Sequence, residues 1–171
     1  VVNIDTVHGG GDAHDISDCD VLRMLLEIAS LARCVGVLVS VPCATWSVAH
    51  LAPPRRTPPR TGDHKHGTPG LAANVAARVR TANRILVNSI AIVEAALLHG
   101  AAFLFESPVP YGRGSVHAIP GREDHVSMWD MPEMKAFAAR WRMATYASTT
   151  SVTNRGPSNS GRASAGTARQ P

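Results

Sequence analysis

The segment from Val35 to Val41 constrains the fold of this chain most. It is apolar at nearly every position, and an apolar run of this length is typical of a strand covered on both faces in a parallel sheet. Pro42 ends the run, because proline has no N–H to donate to the ladder. Parallel strands are joined by crossovers that are usually helical, so this segment predicts an α/β domain.

Strand and helix patterns alternate along the rest of the chain. The predicted elements are a strand (1–5), a helix capped by Ser17 or Asp18, the strand 35–41, a helix (75–97) stopped by Gly100, a strand (101–105), and a last helix opened by a capping box from Asp130 to Glu133. Crossovers between parallel strands are right-handed, so this order predicts a parallel, doubly wound, Rossmann-like sheet.

The length and composition favour one domain followed by a tail. The chain has 171 residues, of which 44% are hydrophobic, which suits a single core. Residues 1–148 carry the α/β pattern, whereas residues 149–171 are rich in Ser, Gly and Arg and are predicted to be disordered. Val1 opens directly into a strand pattern without an initiator Met, so we interpret the domain as a fragment, incomplete at its N-terminus.

Several classes of protein are disfavoured by the same sequence. The apolar runs are shorter than the ~20 residues that cross a bilayer, so no membrane association is expected. Three cysteines without a C-x-x-C pair predict neither a disulfide framework nor a metal site, and they favour an intracellular, reducing compartment, nuclear in a eukaryote. A net charge of +4 and a pI of about 9.4 are compatible with a nucleic-acid partner.

Three chemically capable side chains stand where predicted strands end. They are Asp5, Cys43 and Glu106. Each has an ordinary structural interpretation when taken alone, because acids often cap turns and an isolated cysteine is usually a small buried apolar residue. Ligands of doubly wound sheets bind beyond the carboxyl ends of the strands, so we expect the three to meet at one edge.

Two of these strand ends resemble known motifs. Val41-Pro42-Cys43-Ala44-Thr45-Trp46-Ser47 resembles the Pro-Cys nucleophile loop of the cytosine carbon-5 DNA methyltransferases, and Phe103-Leu104-Phe105-Glu106-Ser107-Pro108 resembles their Glu-Asn-Val strand end. Most of residues 1 to 145 are similar in order to the methyltransferase-like domains of retroelement and phage-like proteins. In those domains, a Pro/Arg-rich loop and an Asn-containing helix lie between the two motifs. The counterparts in this chain are residues 53–70 and the helix that contains Asn83.

The resemblance implies a methyltransferase-type sheet and S-adenosylmethionine-dependent methyl transfer to carbon 5 of cytosine. Cys43 would be the nucleophile that adds to ring carbon 6, and Glu106 would contact ring nitrogen 3 and the exocyclic amine. Asp5 would hold the cofactor ribose and Asp15 its adenine, with Pro42 also at the cofactor. The family's Gly-rich cofactor loop would precede Val1, and Ser107 stands where the family has Asn.

The implied partner is DNA, with RNA as an open alternative. The loop residues Arg55, Arg56, Arg60 and Lys65 are the candidate nucleic-acid contacts, since the target base must be flipped out or arrive single-stranded. Two other functions stay open: a catalytically inactive relative that binds nucleic acid or another partner through its basic loops, and a different nucleotide-binding α/β domain.

Overall fold

The computed structural model describes residues 2–5, 10–47 and 57–143, together with the backbone of two strands at 145–148 and 162–165. In chain order the regular elements are α1 (Cys19–Ala29), β1 (Gly36–Ser40), α2 (Ala73–Leu97), β2 (Ala102–Pro108), α3 (Pro132–Arg140), β3 (Thr145–Ser148) and β4 (Arg162–Ala165). The predicted α/β class is confirmed, because β1 and β2 are parallel and α2 connects them.

The sheet is mixed rather than wholly parallel. Its order is β1-β2-β4-β3, and β4 runs antiparallel to both β2 and β3. The strand predicted over 1–5 is wrong for residues 2–5, which belong to no strand. The parallel part of the described sheet therefore consists of β1 and β2. Many doubly wound folds carry antiparallel strands at one side of a parallel sheet, so the mixed order is compatible with that class without establishing it.

The hydrophobic core lies on one face of β1 and β2. Phe103 and Phe105 alternate inward from β2, and Phe137 of α3 packs edge-on against both rings at centroid distances of 5.3 and 5.6 Å. Edge-to-face contacts suit the ring quadrupole, which is negative on its faces and positive at its rim. The long helix α2 buries one apolar stripe, Val79, Ala82, Leu86, Ile90, Val93 and Leu97, and all of these except Val79 belong to the same cluster. This is the stripe that the spacing of four and three residues predicts.

The opposite face of the parallel pair is open in the described part of the chain. Leu38 and Leu104 are paired across β1 and β2, and their exposed fractions are 69% and 38%. The prediction that this strand is covered on both faces is therefore wrong for the described residues. The burial of β1 alternates instead, because only Val37 and Val39 face the core.

The helix ends follow the sequence in part. Asp18 caps α1 and accepts the N–H groups of Asp20 and Val21, and Gly100 adopts φ +82° after α2, a conformation that glycine adopts without strain. The predicted capping box at 130–133 is wrong, because the box lies at Ser127 and Asp130 around a short 3-10 turn. Pro132 then opens α3 from its first turn.

The predicted disordered tail falls largely outside the described residues. Within it, Arg162–Ala165 forms β4, which is hydrogen-bonded to both β2 and β3. Arg, Ala and Ser, the residue types of β4, lack strong strand propensity, so this pairing depends on the edge that β2 presents.

Candidate functional site

The site is built from the carboxyl end of the parallel pair β1 and β2. Ser40, the last residue of β1, is paired with Glu106 of β2, and Cys43 follows Ser40 by three residues. Cys43 opens a 3-10 turn over Cys43–Thr45, is exposed and carries a free thiol. The structure therefore places Cys43 and Glu106 at the same edge of the sheet, as the sequence predicts.

Two deeply buried side chains hold this exposed turn from either side. Val41 precedes it and Trp46 follows it, and both belong to the main core cluster with 3% and 1% exposure. The Trp46 N–H donates to the carbonyl of Cys43 at 2.9 Å. Cys43 is thus presented to solvent on a short segment whose two ends are anchored in the core.

Glu106 and Ser107 point to opposite faces of β2. Alternation along the strand places Glu106, which is partly buried, on the open face with Leu104, whereas Ser107 faces the core side. The Ser107 hydroxyl is buried and has no hydrogen-bond partner among the described residues. Glu106 is therefore the accessible polar group of the Phe-Leu-Phe-Glu-Ser motif.

Arg60 is the most heavily engaged polar residue near the Cys43 turn. Only 3% of it is exposed. Its guanidinium donates from Nη1 to the Lys65 carbonyl at 2.6 Å and to Asn83 Oδ1 at 2.7 Å, and from Nη2 to Thr45 Oγ1 at 3.1 Å. A planar fork with several donors can reach three acceptors at once, which a lysine ammonium on a flexible stem does poorly. Arg60 therefore joins the loop, α2 and the Cys43 turn.

The guanidinium of Arg60 also stacks on Trp46. Its central carbon lies 3.4 Å from the ring centroid, which is a cation–π contact. Burial lowers the pKa of Arg60 to about 9, and the Glu133 carboxylate acts in the opposite direction. The group stays charged at neutral pH, so the chain keeps a positive charge directly beneath the turn that begins at Cys43.

This network extends through the loop to α3. Asn83 Nδ2 donates to the His66 carbonyl at 2.9 Å, and His66 Nε2 lies 2.7 Å from Glu133 Oε1. Burial raises the pKa of Glu133. The hydrogen bond from His66, a backbone N–H and the charges of His66 and Arg60 together outweigh burial, so the pKa is lowered overall. The described part of the long loop, residues 57–70, is consequently tied to both α2 and α3.

His125 supports the other side of the Trp46 backbone. Its Nδ1 accepts the N–H of Tyr111 at 3.2 Å, so Nε2 carries the proton and donates to the Trp46 carbonyl at 2.8 Å. Burial lowers the pKa of His125, against a smaller raising effect of the Trp46 carbonyl. Between the Trp46 turn and Arg60 lies a cavity of about 10 Å³ that His125 also lines.

Asp5, the predicted ribose contact, is placed differently from its prediction. Asp5 precedes a short 3-10 turn rather than ending a strand, and its backbone N–H donates to His14 Nδ1 at 3.2 Å. The Asp15 carboxylate accepts the N–H of Ser17 at 2.8 Å, just ahead of α1. Arg55 and Arg56 lie outside the described residues.

The loop cations therefore divide into two kinds. Arg60 is buried against protein atoms and has no surface to offer a nucleic acid, which corrects its assignment as a nucleic-acid contact. Lys65 is partly exposed, and its carbonyl accepts from Arg60. Among the predicted contacts that the structure describes, Lys65 is the one with an accessible side chain.

Sequence reasoning missed the residues that support the turn. These residues lie far apart in the chain: Trp46, His66, His125 and Glu133. They are connected through Arg60, Asn83 and the backbone of Trp46. A detectable signal was the placement of one arginine directly after Pro58-Pro59 and one asparagine on the polar side of α2. Neither residue reveals its partner without the fold.

In the described ranges, no helix is both long and apolar enough to span a membrane. The same residues contain no group of three or more His, Cys, Asp or Glu side chains arranged to hold a metal ion. Compared with known proteins, the chain matches no family model, no curated protein and no solved structure.

Proposed function

We propose that this chain carries the nucleophile of an S-adenosylmethionine-dependent methyltransferase that modifies carbon 5 of cytosine in DNA. The observation that carries the proposal is the exposed thiol of Cys43 at the carboxyl end of β1, with Glu106 on the adjacent parallel strand. This edge is where α/β sheets bind their ligands. The motifs around both residues supply the resemblance to the family.

The chemistry assigned to Cys43 is covalent. Its thiolate adds to ring carbon 6 of cytosine, forming a carbon–sulfur bond and moving the electron pair of the 5,6 double bond onto carbon 5. Carbon 5 thereby becomes the nucleophile. Loss of the proton from carbon 5 and departure of the thiolate later restore the double bond and release Cys43.

Glu106 would stabilise the activated ring. A carboxyl group that contacts ring nitrogen 3 and the exocyclic amine favours charge that develops there as the thiolate adds. It would also discriminate against thymine, which lacks the amine. The half-buried position of Glu106 beside the open face of β2 supports this role, because a base bound there would meet its side chain.

The cofactor side receives less support from the described residues. S-adenosylmethionine would supply the methyl group, with Asp5, Asp15 and Pro42 as its candidate contacts. Asp5 follows no strand, however, and the Asp15 carboxylate is already engaged by a backbone N–H. The proposal therefore rests on Cys43 and Glu106.

Exchange of the hydrogen at carbon 5 tests the nucleophile without the cofactor. Addition of Cys43 makes that hydrogen exchangeable, so the protein should release tritium from single-stranded DNA labelled at carbon 5 of cytosine. Cys43→Ser should abolish the release, and Glu106→Gln should slow it by about 10²–10³. Cys19→Ser, which alters another exposed cysteine, is the matched control and should exchange normally. Release by Cys43→Ser at the wild-type rate would remove Cys43 as the nucleophile.

A second candidate is a nucleic-acid-binding relative without catalysis. The observation that favours it is the position of Asp5 outside any strand, which leaves the cofactor side incomplete. Such a protein would bind the labelled DNA but release no tritium from it. The exchange assay combined with a binding measurement therefore separates the two functions.

A further inference from the structure

A second polar feature lies on α2, outside the Cys43 turn. It is a groove of about 190 Å³ lined by Arg80, Arg84, Thr81 and Ala77 of α2 and by Ser17, which precedes α1. Arg80 and Arg84 are one helical turn apart, so their side chains project from the same side of α2. Two cations and two hydroxyl donors converge on one concave surface.

The charge of this groove is not neutralised within the described residues. Neither Arg80 nor Arg84 forms an ion pair there, and both are exposed. The nearest acids in sequence to Ser17 are Asp15 and Asp18. Each carboxylate accepts backbone N–H groups, from Ser17 in one case and from Asp20 and Val21 in the other. Since neither arginine is paired with an acid among the described residues, their donors are available to an anion.

The groove lies on the half of α2 that is linked to the candidate site. Arg84 directly follows Asn83, whose side chain is joined through Arg60 to Thr45 in the Cys43 turn. Because α2 returns from the end of β1 to the start of β2, its N-terminal half lies toward the carboxyl edge of the sheet. A ligand in the groove would approach the same side of the molecule as one at Cys43.

We propose that this groove binds a backbone phosphate of a nucleic-acid strand. The volume accommodates a phosphate with part of its sugar, and arginine is well suited to phosphate because its fork donates two parallel hydrogen bonds. Thr81 and Ser17 hydroxyls provide further donors of the kind that position phosphates without reading sequence. The proposal deepens the proposed function by naming where its DNA is held, and the binding itself does not require catalysis.

The test compares two charge-matched double variants of the full chain. Arg80→Gln/Arg84→Gln removes the groove cations, and Arg33→Gln/Arg78→Gln removes two exposed arginines that do not line the groove, one of them on α2. Binding of a fluorescein-labelled single-stranded oligodeoxynucleotide is measured by anisotropy across a range of salt concentrations. The groove variant should bind about fivefold or more weakly, and its salt slope should be shallower by about 0.7, because one phosphate of the strand is no longer neutralised.

Each other outcome has a definite meaning. Equal weakening of both double variants would show an effect of net charge alone and overturn the proposal, as would unchanged binding by the groove variant or no binding by the wild type. If inorganic phosphate displaces the oligonucleotide at comparable concentration, the groove holds a free phosphate, and the assignment to a nucleic-acid strand is wrong. If the wild type releases no tritium but its binding still depends on Arg80 and Arg84, the proposed catalysis is refuted and the groove assignment stands.

Discussion

Replacing Arg60 tests the most connected residue of the candidate site. In Arg60→Met the stem still packs on Trp46, but the donors to Lys65, Asn83 and Thr45 are removed. The three acceptors that Arg60 leaves behind are neutral, and a buried polar group that loses its partner costs about 1–3 kcal/mol. The charge of Arg60 also opposes folding, because burial disfavours the charged guanidinium and lowers its pKa to about 9. Met removes that penalty, so we expect a loss near the lower limit for each acceptor, about 3 kcal/mol in all.

Arg60→Lys distinguishes geometry from charge. Lysine keeps a buried cation and its desolvation cost, but its single nitrogen cannot reach the three acceptors together or stack flat on Trp46. The lysine variant should therefore be at least as unstable as Arg60→Met at neutral pH. An explanation based on positive charge alone predicts the reverse order.

Urea unfolding followed by tryptophan fluorescence measures both variants, since the ring of Trp46 contacts the guanidinium. Arg113→Met, which changes an exposed arginine, should stay within about 0.5 kcal/mol of the wild type. Wild-type stability in Arg60→Lys would refute the reasoning that the planar fork holds the loop.

Two further predictions concern the segments around Trp46. In the folded protein the pKa of His125 is below its ordinary value of 6.5, so the unfolded chain binds the proton more readily. The free energy of unfolding should therefore fall as the pH drops below about 6.5. The urea midpoint should fall less with pH in His125→Gln than in the exposed control His64→Gln. Gly112→Ala should cost about 1–3 kcal/mol in thermal or urea unfolding, because the new Cβ would lie 2.3 Å from the His125 carbonyl oxygen. Gly62→Ala meets no atom and its glycine has no positive φ, so an equal loss there would show that crowding is not the cause at Gly112.

Local sequence patterns predicted the helix and the two strands that bury apolar side chains in a regular spacing, α2, β1 and β2. The steps of four and three residues along α2 match its buried face, and the short apolar runs of β1 and β2 form the parallel pair. The same patterns placed Cys43 and Glu106 at one edge. This succeeded because the end of a strand depends on local residues such as Pro42.

The remaining features depend on contacts between distant residues. Arg60 looked like a solvent-exposed loop cation, and only the fold reveals that Asn83 and Thr45 enclose it. The β4 strand has little propensity of its own and forms where β2 offers an edge. The apolar sequence of β1 similarly predicted burial on two faces, but a hydrophobic run does not specify which neighbours cover it, and Leu38 stays exposed.

The arrangement around Cys43 combines exposure with restraint. An exposed thiol on a flexible loop would lose entropy whenever it reached a reactive geometry, at a cost of about 1–2 kcal/mol for each residue ordered. Here Val41 and Trp46 are already buried on either side, and Arg60 joins Thr45 to α2. Most of that ordering therefore occurs during folding rather than at the moment of reaction. A structural cysteine has no need of this arrangement, because it would be buried with the core. Cys43 is instead exposed on a turn that is held at both ends, and this is the physical reason to seek the function of the chain there.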